Sequence, residues 1–352
     1  MARALALAAR GEGAVEPNPM VGCVIVRDGQ VVAEGWHEEF GESHAEIVAL
    51  KQLNFQAAGA TVYVTLEPCS HHGKTPPCTK ALIYAQAGRV VVAMPDPFPA
   101  VDGSGIDELR AAGIECEVGL LAEVARQLNA PYLKRLETGR PWVIAKWAAT
   151  RDGKLAMADG SRWISNEQSR ELVQQLRGRV DAIVVGSGTV RADDPLLTAR
   201  PKNPGDVKRV AKRVVVDSQA SLSLDSRLVK TARDVPVIAA VAATASVEKC
   251  RQLVEAGVDI LPCAGATHAE RLDSLFEHLG NRKMTNVLVE GGACLLRTLF
   301  EMRAVDEIQV FTAAKDAGGP APAAPSLDGL RIKNVLARDL DGDEYLAARV
   351  AT

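Results

Sequence analysis

The sequence predicts two α/β domains in series. Three observations carry this. The chain has 352 residues, more than one domain of ~100–200 residues needs. Apolar, β-branched runs alternate with segments of helical periodicity. That alternation lapses at Thr138-Gly139-Arg140-Pro141, a turn-forming stretch, and then starts again. The expected domains are residues 1–140 and 141–352.

The first domain opens with a six-residue apolar run, Ala4 to Ala9, ended by Arg10. A secretory signal needs an apolar region of ~7–15 residues, so the run reads as an amphipathic helix stopped by Gly11 and Gly13. Strands at 21–26 and 31–35 flank Asp28-Gly29, a hairpin dipeptide. A helix is expected at 45–53 and a β-branched strand at 61–65. A helix at 78–87 stops at Gly88, and an apolar strand follows at 90–94. A short helix at 106–112 precedes Gly113. A longer helical pattern at 120–136 contains Pro131, which breaks or kinks it.

In the second domain, strands are expected at 142–147, 182–185, 213–217, 236–240, 286–290 and 307–312. Helices are expected at 166–176, 247–256, 268–279 and 293–300. The Pro/Ala/Gly-rich stretch 318–325 reads as an irregular loop.

Composition excludes several functions. Hydrophobic residues at 47% and charged residues at 24% describe a folded chain, not a disordered one. A net charge of −3 and 4% aromatics argue against a nucleic-acid partner. No segment approaches the ~18 apolar residues of a membrane span. The seven cysteines then read as reduced thiols or metal ligands in the cytoplasm, not as a disulfide framework.

The first chemical constellation is His44-Ala45-Glu46, then Pro68-Cys69, then Cys78. One His and two Cys are three zinc ligands with a fourth position open, which is the stoichiometry of a catalytic site. Zn2+ brings bound water toward a neutral pKa, and Glu46 is placed to shuttle its proton to a leaving nitrogen. This order of residues is the pattern of zinc nucleobase deaminases. His71 and His72 lie in the loop between the cysteines and read as substrate or solvent contacts.

The cysteines are eight residues apart, not the two of the general deaminase pattern. The stretch Glu67-Pro-Cys-Ser-His-His-Gly-Lys-Thr-Pro-Pro-Cys78 resembles the pyrimidine deaminases of riboflavin biosynthesis. So do Pro17-Asn-Pro-Met-Val-Gly22 and Gly59-Ala-Thr-Val-Tyr-Val-Thr-Leu66. In that family the deaminase is fused to a reductase over a chain of similar length. The resemblance implies a cytidine-deaminase-like three-layer α/β/α domain followed by a dihydrofolate-reductase-like α/β domain.

The second half has two strands running into glycines, at Ala182-Ile-Val-Val-Gly-Ser-Gly-Thr189 and at Asn286-Val-Leu-Val-Glu-Gly-Gly292. Such turns let a backbone approach phosphate, or simply turn a strand into a helix. Neither is a full dinucleotide fingerprint. Ser161-Arg-Trp-Ile-Ser165, Gly186-Ser-Gly-Thr-Val-Arg-Ala-Asp-Asp-Pro195 and Val289-Glu-Gly-Gly292 resemble the riboflavin reductase domain. The resemblance implies NADPH, with contacts at Ala148, Trp163, Thr189, Asp193 and Ser218, and at Gly291, Gly292, Ala293 and Cys294 around the pyrophosphate. It implies a phosphorylated pyrimidine substrate held by Ser161, Arg177, Leu197, Arg200 and Glu290, and a homo-oligomer, dimer or tetramer. Arg177 and Arg200 suit phosphate because guanidinium pairs with its oxygens bidentately. The stretch 201–213 carries five basic residues against one acidic. It reads as a charged surface loop or as an attractor for cofactor phosphates.

Three positions depart from the family pattern. Arg151 replaces a usual Leu, Phe98 replaces a usual Asn, and residues 313–325 are atypical. Arg151 and that tail motivate an alternative reading, an active deaminase with an impaired reductase. A further alternative is a nucleic-acid or nucleoside deaminase with an appended binding domain.

Overall fold

The computed structural model describes residues 1–71, 76–99 and 101–351, so His72 lies outside the described residues. The chain forms two compact units, Met1–Thr138 and Gly139–Thr352.

Unit 1 runs α1 (Ala2–Ala8), β1 (Gly22–Arg27), β2 (Gln30–Trp36), α2 (Ala45–Gln52), β3 (Thr61–Val64), α3 (Cys78–Tyr84), β4 (Arg89–Val92), α4 (Ser104–Ala111), β5 (Glu115–Val118), α5 (Ala122–Leu128) and α6 (Ala130–Thr138). Its sheet has the order β2-β1-β3-β4-β5. β1 is antiparallel to β2 and β3, whereas β3, β4 and β5 run parallel. Side chains alternate across a strand, so Cys23 and Ile25 pack with α2, α3 and α4 while Val24 packs on α1. The result is the three-layer α/β/α arrangement. A Cβ on Gly22 would lie 2.0 Å from the Ala4 carbonyl oxygen, which is why α1 lies so close to β1. The helical pattern at 120–136 is two helices, and Pro131 sits in the first turn of α6, where its missing N–H needs no partner. The edge strand β5, with Glu115 and Glu117 on it, had no apolar run to announce it.

Unit 2 runs β6 (Trp142–Thr150), α7 (Glu167–Arg177), β7 (Ala182–Gly186), α8 (Ser187–Asp193), β8 (Lys212–Val216), α9 (Arg227–Lys230), β9 (Val237–Ala242), α10 (Val247–Glu255), β10 (Asp259–Cys263), α11 (His268–Asn281), β11 (Asn286–Val289), α12 (Ala293–Glu301), β12 (Glu307–Ala313), β13 (Ile332–Leu340) and β14 (Asp343–Val350). The sheet order is β10-β9-β8-β7-β11-β6-β12-β14-β13. The strands from β10 to β12 in that order are parallel, and the β13–β14 hairpin closes the edge antiparallel. Residues of α11 and α12 cover one face, with Val143, Ala145 and Trp147 beneath them. Residues of α7, α9 and α10 cover the other, with Ile144, Ile183 and Val215. From β6 the sheet grows in two directions, toward β12 and, past β11, toward β7. In open α/β sheets ligands bind beyond the carboxyl ends of strands at such a reversal.

Candidate functional site

In unit 1, His44 is the N-cap of α2 and Cys78 is the first residue of α3. Cys69 follows β3 in a turn tied to α3, since the Thr79 N–H donates to the Cys69 carbonyl at 3.2 Å. The strand-then-helix pattern thus delivers all three side chains to one place. His44 Nδ1 lies 3.5 Å from Cys69 Sγ and 3.3 Å from Cys78 Sγ. Nitrogen and sulfur on a tetrahedral zinc, at ~2.0 and ~2.3 Å from the ion, sit ~3.5 Å apart. The donor set therefore fits zinc in type and in spacing. The Cys69 thiol is held low, at about 4, first by its hydrogen bond with Cys78 and then by His44. His44 is raised to about 8, mainly by Cys69. Cys69 thus favours thiolate, whereas a hydrogen bond with Cys69 and then burial push the Cys78 thiol up, so metal binding has to displace the Cys78 proton.

Glu46 lies one residue into α2 beyond Ala45 and is only 3% exposed. Burial pushes its carboxyl up to about 7. A carboxyl of that pKa can both take and return a proton near neutrality. The sequence reading missed His37. Its ring meets the His44 ring edge-on at 5.5 Å. Its Nδ1 faces the Ser43 carbonyl at 3.2 Å, which leaves Nε2 to accept from Asn18 Nδ2 at 3.1 Å. Its lone position after β2 carried no motif. His71 sits with its ring 6.0 Å from that of Phe98.

In unit 2 a cleft of about 300 Å³ opens at the carboxyl ends of β6, β7 and β11. Ala148, Trp163, Thr189, Asp193, Gly291, Gly292, Arg177, Leu197, Arg200 and Glu290 all line it. Ser161, Ser218, Ala293 and Cys294 are not among its lining residues. The two glycine turns lie side by side because β7 and β11 are neighbours, and Thr189 Oγ1 is 3.4 Å from where a Gly292 Cβ would stand. A Cβ on Gly186 or Gly188 would meet nothing within 4 Å. Of these glycines Gly291 and Gly292 line the cleft, at the start of α12, where free N–H groups fit a pyrophosphate.

Arg177 does not offer a free guanidinium to this cleft. Its Nε and Nη2 donate to the two Glu290 oxygens at 2.6 and 2.8 Å. Burial alone would raise the Glu290 carboxyl, but Arg177 and, at 3.9 Å, Lys146 bring it below the usual carboxylate range. Burial pushes the Lys146 ammonium down in turn. Arg200, by contrast, faces cations: burial and then Arg177, Arg227 and Arg162 all lower it. Arg162, Arg200 and Arg227 pair with no carboxylate among the described residues, so they and not Arg177 hold the unbalanced positive charge. The guanidinium groups of Arg162 and Arg170 both lie over the Trp163 ring, 5.1 and 5.0 Å from its centroid.

The basic stretch 201–213 is largely occupied elsewhere. Lys202 pairs with Glu167 at 2.8 Å, and Arg209 pairs with Asp181. Arg213 is fully buried on β8.

Comparison with known proteins follows the same division. Residues 1–94 match the cytidine and deoxycytidylate deaminase zinc-binding region, and residues 141–342 match the RibD C-terminal domain. Riboflavin biosynthesis protein RibD of Escherichia coli (strain K12) is 43% identical over 340 residues, which covers 94% of this chain and 91% of the relative. The chain belongs to the RibD family. The RibD of Actinobacillus pleuropneumoniae is 41% identical over 92% of this chain and 85% of its own. A solved structure of Acinetobacter baumannii RibD superposes with a TM-score of 0.86 at 37% identity, covering 100% of this chain and 98% of that one. RibD membership makes the chain a bifunctional deaminase–reductase of riboflavin biosynthesis, with zinc and NADPH as its cofactors. No helix among the described residues is long and apolar enough to cross a membrane.

Two of the departures from the RibD pattern answer each other. Arg151 Nε and Nη2 donate to Asp316 at 3.0 and 2.6 Å, and Asp316 lies in the atypical 313–325 segment. That segment also runs along the chain after β6: Lys315 Nζ donates to the Trp163 carbonyl at 2.8 Å, and the Leu155 N–H to the Pro322 carbonyl at 2.8 Å.

Proposed function

We propose that the first domain, residues 1–140, hydrolyses the ring amino group of 2,5-diamino-6-(phosphoribosylamino)pyrimidinone. The second domain, residues 141–352, then reduces the ribosyl group of the product, 5-amino-6-(phosphoribosylamino)uracil, to ribityl. The observation that carries this reading is the convergence of His44, Cys69 and Cys78 beside a buried Glu46. His44, Cys69 and Cys78 would hold zinc, which supplies a Lewis acid and an acidified water. Glu46 takes a proton from the attacking water and returns it to the departing nitrogen, so water enters and ammonia leaves.

In unit 2 NADPH supplies the hydride. The N-glycoside opens to an imine, the hydride adds to the sugar's first carbon, and a proton adds to the nitrogen. Gly291 and Gly292 give the cofactor backbone-lined space, with Ala148, Trp163, Thr189 and Asp193 around it. Arg200, aided by Arg162 and Arg227, neutralises the substrate phosphate. The Arg177–Glu290 pair fixes the floor of the cleft. The thiolate ligands need a reducing compartment, which supports a cytoplasmic enzyme. We assign it a homo-oligomeric state, dimer or tetramer, measurable by sedimentation.

The test supplies the diaminopyrimidine substrate and NADPH to zinc-loaded protein and follows ammonia and NADPH separately. Both signals are expected. Absence of both overturns the reading, and ammonia without NADPH loss would establish the impaired-reductase alternative. Glu46→Gln should abolish ammonia release with zinc content unchanged. Normal turnover in that variant would remove Glu46 from the proton path.

A further inference from the structure

Arg213 sits in the middle of the parallel sheet of unit 2, with no exposed surface and no carboxylate bonded to it among the described residues. A bare buried guanidinium is expensive, so its hydrogen bonds define what it is for. Nη1 donates to the Leu196 carbonyl at 3.2 Å and to Thr231 Oγ1 at 2.8 Å. Nη2 donates to the Thr231 carbonyl at 2.9 Å and to the Val235 carbonyl. The four Nη hydrogens are thus committed, while the buried Nε–H has no partner among the described residues.

The fork's acceptors belong to two separate segments. Leu196 lies in the connection after α8, beside Leu197, and both line the cleft. Thr231 caps α9, and its hydroxyl donates back to the Arg227 carbonyl at 2.7 Å. Arg227, the first residue of α9, also lines the cleft. The Leu196 segment needs such a brace, because Asp194 and Leu197 both have left-handed backbones, with φ of 38° and 54°. A second tie joins the same two segments: the Arg227 N–H donates to Asp194 Oδ1 at 2.8 Å.

We propose that Arg213 is a positioning residue of the reductase, a buried cross-brace that sets the distance between the Leu196–Leu197 wall of the cleft and the α9 wall carrying Arg227. It rests on the reductase reading of unit 2. Arg213 touches neither substrate nor cofactor. It acts by holding the leucine backbone and Arg227 in the register that a phosphorylated substrate needs. A Lys has no planar fork and cannot bridge both segments with the same geometry.

The test measures steady-state NADPH oxidation on the deaminated substrate in the full-length, zinc-loaded protein. The variants are Arg213→Lys and Thr231→Val, the latter removing one acceptor of the fork and the hydroxyl's own bond to the Arg227 carbonyl, and nothing charged. For Arg213→Lys the KM for the phosphoribosyl substrate should rise about tenfold with kcat within about twofold; Thr231→Val should raise KM by about threefold. If Arg213→Lys does not fold, Thr231→Val decides by the same criterion. A lower melting temperature with unmoved KM, or a fall in kcat with unmoved KM, would overturn the proposal, since the first is a purely structural role and the second a chemical one. Failure of the reductase reading looks different: wild-type protein would then oxidise no NADPH on this substrate.

Discussion

The Arg177–Glu290 pair shows what single residues decide in this protein. Its side chains are only 13% and 10% exposed, so each charge depends on the other. Removing one partner of a buried pair typically costs about 3–5 kcal/mol, because the survivor stays buried and uncompensated. Glu290→Gln should therefore destabilise unit 2 by about 3 kcal/mol in denaturant unfolding. The pH dependence has a definite sign. Glu290 is held below its unfolded value, so the pair's contribution is complete above about pH 4.3, the ordinary Glu value, and is lost as pH falls through the folded value. The gap between wild type and Glu290→Gln should shrink as pH drops below about 4.3, and a constant gap would refute the assignment. Arg151 makes the opposite case. Its partner Asp316 is half exposed, and such pairs contribute little. Arg151→Leu should leave NADPH oxidation within about twofold of wild type, and a larger rise would revive the impaired-reductase reading. The metal ligands were legible in the sequence because residue type and order carry the chemistry. Arg213 was not. It ends a run of basic residues and reads as solvated, while its acceptors lie 17 to 22 residues away in sequence.

At the scale of elements, the loop before α4 shows how a strand and a helix place the chemistry between them. Glu67 follows β3 and is buried, and its carboxylate accepts the N–H groups of Asp96, Gly103, Gly105 and Ile106 at 3.3, 3.1, 2.9 and 3.2 Å. A carboxylate at the free N–H groups of a helix start is favourable twice over, as hydrogen bond and as charge. It binds α4 and the loop carrying Phe98 to the turn that presents Cys69. Contact is so close that a Cβ on Gly105 would lie 2.1 Å from the Pro68 carbonyl oxygen. Gly105→Ala must push α4 off that turn, at a cost of about 1–3 kcal/mol. Ammonia release should fall at least about tenfold while NADPH oxidation on the deaminated substrate stays unchanged. Unaltered ammonia release would show that the clamp is irrelevant to the deaminase. Elements with an apolar period, such as β6, β7 and α11, were readable in advance. β5 and β10, short strands at sheet edges, were not, nor were β13 and β14, whose charges fall on both faces and so hide the alternation that marks a half-buried strand.

On the scale of the whole molecule, the two units differ in what their chemistry depends on. Unit 1 needs a metal: without it His44, Cys69 and Cys78 are only a hydrogen-bonded cluster behind a proton carrier. Unit 2 has its own two-sided core of α11 and α12 on one face and α7, α9 and α10 on the other, and among the described residues those that line its cleft belong to unit 2. Its reductive step calls for no metal ligand. Stripping zinc with a chelator should therefore separate the reactions by substrate. Given the diaminopyrimidine, the stripped protein should release no ammonia and oxidise no NADPH, because the second step lacks its substrate. Given the deaminated compound directly, it should oxidise NADPH at a rate within about twofold of the zinc-loaded protein. Zinc added back should restore ammonia release and, with it, NADPH oxidation on the first substrate. Loss of NADPH oxidation on the deaminated compound after stripping would mean that the metal supports the reductase fold as well, and the independence of the two units would fall.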